Sequence, residues 1–398
     1  MPSDDLDPID DGSQDDDGNG NGNSDGTGEG NGDGTGEGNG DGTGEGNRTP
    51  SEPMFDRYVA LGADLTAGVM NGGLTPESQS QSYAALLAEA MGVAFNAPPI
   101  ANPGCPPPYA DPFTREPVSD APCALQTITA ADTLHNIALQ GLRLPDYIRT
   151  TDDNRHALLG GLTPLEALEK ANPTFVTLFF GTTDIARYLD SGDTSDLPWD
   201  DGKAYYSLLN TLDSLGVNDV LLIFPPLLNY INPYWPSVLE YIEARDDGRI
   251  PSTFQFSDSC ADPWRGGYRV PYSYGFLELL PKAQAGEEVL IDCDTDRRLI
   301  SPLDPSVGNG GGGLFETLDV YNLEYDSPRL VIGGAGRFWE DERCETPDFP
   351  NLPGSGEPTF GYCLSNDGFR PNALGHRIMA ERLVQQINRE YNTNFTLP

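Results

Sequence analysis

The run Phe175-Val176-Thr177-Leu178-Phe179-Phe180 constrains this chain more than any other segment. Its side chains alternate between two faces if it is a strand, and both faces are then apolar, so it must be buried on both sides. It is too short for a buried helix. A second run of the same kind, Asp219 to Phe224, follows about forty residues later, with a helical pattern at roughly Ala204 to Leu215 between them. Two doubly buried strands joined through a helix form a parallel pair, because parallel strands need a long crossover. The chain is therefore predicted to be an α/β protein with a parallel sheet.

Other segments extend the pattern. Tyr58-Val59-Ala60-Leu61 reads as a strand running into a glycine turn, and Ser82 to Met91 as a helix with Tyr83, Leu86, Leu87, Ala90 and Met91 at helical spacing. Asn136-Ile137-Ala138-Leu139 is a further strand ending in glycine, and Thr163-Pro164 opens a helix in the favoured cap-then-proline order. From Ala373 to Tyr391, Leu374, Ile378, Met379, Leu383, Val384 and Ile387 form one apolar stripe of a long helix. The stretch from about 225 to 330, rich in Pro, Tyr and Trp and containing Gly310 to Gly313, breaks the alternation. It is expected to be an elaboration beside the sheet with one or two helices of its own.

Residues 1–53 belong to a different class. The octapeptide Asp-Gly-Thr-Gly-Glu-Gly-Asn-Gly starts at Asp25, repeats at Asp33 and begins again at Asp41. It offers nothing to bury and cannot offset its ordering entropy, so it reads as a disordered linker before a domain at 54–398. Calcium-loaded Gly/Asp repeats carry an apolar residue per repeat, and these do not. The formal net charge is −39, of which −13 falls on the first fifty residues and −26 on the rest. Such a chain repels phosphate backbones, which excludes nucleic acid as a partner. No apolar run approaches the ~20 residues of a membrane span. Lysine is confined to Lys170, Lys203 and Lys282, and few Lys with many acids suits a salt-rich, halophilic setting where self-repulsion is screened.

The cysteines point to export. None of the six forms a Cys-x-x-Cys pair, and of the 15 possible connectivities the sequential one is expected: Cys105 with Cys123, Cys260 with Cys293, Cys344 with Cys363. Each pair brackets an irregular stretch without its own core. Met1-Pro2-Ser3-Asp4 lacks the features of a secretory leader, so the reading is a mature form with the leader removed and the acidic linker as tether.

The residues after the strands carry a resemblance. Gly62-Ala63-Asp64-Leu65-Thr66-Ala67-Gly68 resembles the first block of the SGNH (GDSL) hydrolases, Gly-Asp-Ser-Leu-Thr-Ala-Gly. Gly141 resembles the glycine of the second block, Gly181-Thr182-Thr183-Asp184 the third block Gly-x-Asn-Asp, and Asp367-Gly368-Phe369-Arg370-Pro371 the last, Asp-x-x-His-Pro. The four blocks occur in the family's order, over the chain from Met54 onward apart from the irregular middle. The resemblance implies a three-layer α/β/α, flavodoxin-like fold, and exported, often lipid-anchored proteins of the outer membrane or cell surface.

Three of the chemically essential residues differ from the family pattern. Asp64 stands at the serine, Thr183 at the asparagine and Arg370 at the histidine, leaving Gly141 and Asp367. An arginine remains protonated and cannot act as general base. A carboxylate beside an oxyanion hole brings negative charge to where negative charge must develop. No catalytic residue is therefore assigned, and no metal or cofactor. Arg370 is expected to bridge Asp64 and Asp367. His376 reads as a packing or surface residue, and His135 and His156 match no block.

The resulting expectation is a pseudoenzyme acting in binding or assembly at the cell surface. The alternatives are an ester hydrolase, of esterase or lipase type, using Thr66, Thr182 or another hydroxyl, and a carboxylate cluster of Asp64, Asp184 and Asp367 for a cation or glycoside chemistry. The dense aromatics Tyr230, Tyr234, Trp235, Tyr241, Trp264, Tyr268, Tyr272 and Tyr274 could contact an outer-surface or outer-membrane protein, or could pack beside the sheet around Cys260 and Cys293.

Overall fold

A computed structural model of the chain describes residues 53–111, 113–126, 132–148, 154–192, 201–223, 235–300, 329–333, 335–352 and 355–398. Four strands, β1 (Tyr58–Gly62), β2 (Phe175–Phe179), β3 (Asp219–Ile223) and β6 (Arg329–Gly333), form one sheet in the order β1-β2-β3-β6. All three pairings are parallel, with Tyr58 opposite Phe175, Phe175 opposite Asp219 and Asp219 opposite Arg329. The predicted strand at 136–139 lies along the free edge of β1, although it is too short a ladder to count as a full strand. The Ala60 amide donates to the His135 carbonyl at 2.8 Å, the Ile137 amide to the Ala60 carbonyl at 2.9 Å and the Leu139 amide to the Gly62 carbonyl at 3.2 Å. In chain order the five segments are thus arranged 2-1-3-4-5.

The helices are α1 (Asp64–Ala67), α2 (Pro76–Ser80), α3 (Tyr83–Met91), α4 (Leu144–Tyr147), α5 (Pro164–Ala171), α6 (Thr182–Ser191), α7 (Asp201–Ser214), α8 (Val238–Asp246), α9 (Pro263–Gly266), α10 (Leu280–Gln284) and α11 (Ala373–Tyr391). Their starts follow the sequence closely. Ser82 caps α3 through the Ala85 amide, and Thr163 and Glu166 form a reciprocal capping box at α5 with Pro164 in the first turn. Asn172 ends α5 in the left-handed conformation.

Both sheet faces are buried. Val59, Leu61, Val176, Leu178, Val220 and Leu222 face Tyr147, Leu168, Leu208 and Leu212 of α4, α5 and α7. Tyr58, Ala60, Phe175, Phe179, Leu221 and Ile223 face Leu87 and Met91 of α3 and Ile378, Met379, Leu383 and Ile387 of α11. This double burial is why β2 shows no polar alternation. Its one polar residue, Thr177, shares a 2.9 Å hydrogen bond with the Tyr58 hydroxyl.

Part of the irregular middle, 235–300, builds a second core, with more regular structure than expected. It contains α8, α9, α10, a π-helix at Tyr272–Leu279, and a parallel pair formed by β4 (Phe254–Phe256) and β5 (Val289–Ile291). Trp235, Tyr241, Tyr272 and Tyr274 are buried here, so these aromatics fill a core and are not a contact surface; Trp264 is exposed. Tyr230, Tyr234 and Gly310 to Gly313 lie outside the described residues, as does the Gly/Asp repeat. Gly275 lets the π-helix press against α8, since a Cβ there would meet the Tyr241 hydroxyl at 2.6 Å. All three sequential disulfides are present: Cys105–Cys123, Cys260–Cys293 and Cys344–Cys363. Among the described residues no helix is long and apolar enough to cross a membrane.

Candidate functional site

The carboxyl ends of the strands deliver the predicted residues to one place. Asp64 opens α1 two residues after β1 ends, and its side chain is only 3% exposed. Gly141 follows the segment paired with β1 and adopts a left-handed φ of 69° that a side chain would strain. Its backbone N–H donates to Asp64 Oδ1 at 2.5 Å.

The other half comes from the loop before α11. The Leu364–Pro371 bridge and the Ser365 amide donating to the Arg370 carbonyl at 2.8 Å close a tight turn, which the Cys344–Cys363 disulfide anchors. Within it, Asp367 Oδ1 accepts from the amides of Phe369 (3.0 Å) and Arg370 (2.8 Å). Asp367 Oδ2 accepts from Arg370 Nη1 at 3.0 Å, while Arg370 Nε and Nη2 donate to Asp64 Oδ2 at 3.1 and 2.5 Å. Arg370 therefore spans the two carboxylates, as expected from the sequence. Burial alone would lower the basicity of the guanidinium, but the facing Asp64 and Asp367 charges outweigh it and hold the group above its already high range.

Thr183 is not drawn into this network. It lies in the first turn of α6, buried, and its hydroxyl has no hydrogen-bond partner among the described residues. The Oδ1 of Asp184 next to it is taken by Arg143. Burial pushes the Asp184 carboxyl up, with Arg143 opposing. No cluster of His, Cys, Asp or Glu able to hold a metal occurs among the described residues. Of the three carboxylates proposed as a cluster, Asp64 and Asp367 are both bound by Arg370, and Asp184 is bound by Arg143.

The alternative hydroxyls are poorly placed for chemistry. Thr66 is wholly buried and shares a 2.8 Å hydrogen bond with the Tyr83 phenol. Thr182 is 3% exposed at the start of α6. His376 is buried in α11, stacked on Tyr83, with its Nδ1 accepting from the Tyr83 amide at 3.3 Å. Desolvation lowers its pKa to about 3, so it is a weak base. His135 Nδ1 accepts from the Asn96 amide, a structural role.

The arrangement contains an N–H donor, a carboxylate already bound to it and a protonated arginine. It contains no hydroxyl paired with a base. Arg143, which sequence reasoning missed, carries no signal in the linear sequence, since its contact lies forty-one residues away on another element. No protein-family model matches this chain, and no curated protein matches it.

Proposed function

We propose that the chain is a catalytically silent protein of the SGNH-hydrolase type, with a three-layer α/β/α, flavodoxin-like fold, that serves in binding or assembly at the cell surface. The 2-1-3-4-5 strand arrangement, with helices packed on both sheet faces, supports the fold. The observation that carries the functional reading is the Asp64 carboxylate seated on the Gly141 amide and clamped by Arg370. In an acyl-transfer site that amide would serve the developing oxyanion, and the nucleophile's oxygen would face a neutral histidine. Here a side chain of the protein itself fills the first position and a permanent cation fills the second.

The proposal extends to an exported protein, tethered by its acidic linker, lipid-anchored and suited to salt. Three disulfides support an oxidising compartment. The test is hydrolysis of short-chain p-nitrophenyl esters. The wild-type protein is expected to show none above buffer, while Asp64→Ser/Thr183→Asn/Arg370→His is expected to show turnover. Wild-type turnover abolished by Asp64→Ala would overturn the reading.

A further inference from the structure

Beside the closed Asp64 network lies an open recess. Its inner part, about 150 Å³, is bounded by Arg370, Asp367, Arg115, Asp190, Ser273 and Leu277. It opens into a wider mouth of about 510 Å³ where Phe113 and Pro281 add apolar wall and Glu278 and Lys282 add charge. Together these dimensions suit a small organic molecule.

The charges of the lining are mostly spent on one another. Arg370 is held by Asp64 and Asp367, and Glu278 pairs with Lys282 at 3.0 Å and with Arg298 at 2.9 Å. Arg115 and Asp190 remain. Neither forms an ion pair among the described residues; partial burial raises the Asp190 carboxyl while Arg115 and Arg370 draw it down. A third group is also unused, the Ser273 hydroxyl, which is buried and has no hydrogen-bond partner among the described residues.

The walls are built to hold these groups in place. Arg115 sits at a φ of 53°, a left-handed conformation that a non-glycine residue adopts at a cost and that recurs at ligand sites. Its loop is fixed by the Asp111 carboxylate, which accepts from the Phe113 amide at 2.6 Å and the Thr114 amide at 3.2 Å, and by the Cys105–Cys123 disulfide flanking it. Ser273 and Leu277 come from the π-helix, a rare conformation found disproportionately at functional sites. Asp190 comes from the last turn of α6.

We propose that this recess binds a small zwitterion of the α-amino-acid class, its carboxylate on Arg115 and the Ser273 hydroxyl, its ammonium on Asp190, and its side chain against Leu277 and Phe113. One cation and one anion without ion-pair partners among the described residues favour a dipolar ligand. A simple anion would leave Asp190 to be desolvated without compensation, and a simple cation would do the same to Arg115.

The inference goes beyond the silent-hydrolase reading and does not need it, since ester turnover and ligand binding are read separately on the same protein. The experiment is calorimetric titration of the full chain with L-leucine, L-phenylalanine, L-serine, L-glutamate and L-lysine. The amide of the best binder lacks the carboxylate, and its desamino acid lacks the ammonium. At least one amino acid is expected to bind, and each singly charged relative to bind at least about tenfold more weakly. Arg115→Gln is expected to erase the preference over the amide, and Asp190→Asn the preference over the desamino acid. Both side chains lie on exposed residues, and circular dichroism checks that each variant is folded. Binding of none of the five, binding of a singly charged relative or of glucose as tight as that of the amino acid, or preferences unchanged in the folded variants would each overturn the proposal.

Discussion

The backbone N–H of Gly141 donates to Asp64 Oδ1 at 2.5 Å, across seventy-seven residues of sequence. The contact ties the end of β1 to the end of the segment paired with it, and it satisfies one carboxylate oxygen while Arg370 satisfies the other. Asp64→Ala removes both partners at once. It should destabilise the fold by about 3–5 kcal/mol, the range for breaking a buried ion pair by removing one side. Asp64→Ala/Arg370→Met should lose clearly less than the two single changes summed, with a coupling above about 1 kcal/mol. Urea unfolding of the four proteins measures the cycle, and additive costs would contradict the clamp.

His376 gives a pH signature. Its folded pKa of about 3 lies below the ordinary value of 6.5, so between these limits the unfolded chain binds more protons than the folded one. Its contribution is intact above about pH 6.5 and is lost as pH falls toward about 3, at up to ~1.4 kcal/mol per unit. His376→Asn keeps a short acceptor near the Tyr83 amide without the titration. Between pH 7 and pH 5 the wild-type protein should lose about 2 kcal/mol more than this variant in denaturant midpoint analysis. Parallel curves would remove His376 as the source.

The Cys260–Cys293 crosslink spans thirty-three residues and secures the second core. Replacing both cysteines by serine should cost about 3–4 kcal/mol on loop-closure grounds. Because Cys260 and Cys293 flank the π-helix wall, limited proteolysis should then cut first between 253 and 300. Unchanged stability under reducing and non-reducing conditions would show that the core holds without the link.

The acidic body predicts a salt response. Its net charge of −26 beyond residue 50 repels itself at low ionic strength, and the Debye length falls from about 30 Å at 0.01 M to about 3 Å at 1 M salt. The melting temperature should climb steadily from 0.01 M to 1 M NaCl, to a similar extent in NaCl and KCl, as calorimetry can follow. A flat or falling curve would separate the acid surface from any adaptation to salt.

The sheet and its helices were legible because burial on two faces leaves no choice of side chain. Phe175 to Phe179 and the stripe from Leu374 to Ile387 carry that pressure openly. Caps such as Thr163 were legible for the same local reason. The Asp64–Arg370 clamp could be anticipated because two residues of opposite charge fall at positions that the pattern of the resembled family brings together. The aromatic middle was harder to read, since Tyr241 in a core and Tyr241 on a surface look alike in sequence, and only the packing of Phe254 and Phe349 around it decides. Arg115, Asp190 and Ser273 come from a loop, a helix end and a π-helix that no periodicity links.

The clamp also sets the direction in which such a site can change. A serine at position 64 alone would strand Arg370 with one carboxylate and leave the Gly141 amide without its acceptor. A histidine at position 370 alone would leave Asp64 buried with the Gly141 amide as its donor. Each isolated exchange lowers stability, so the arrangement behaves as a lock: with both charges in place each holds the other, and only coordinated substitutions can replace them.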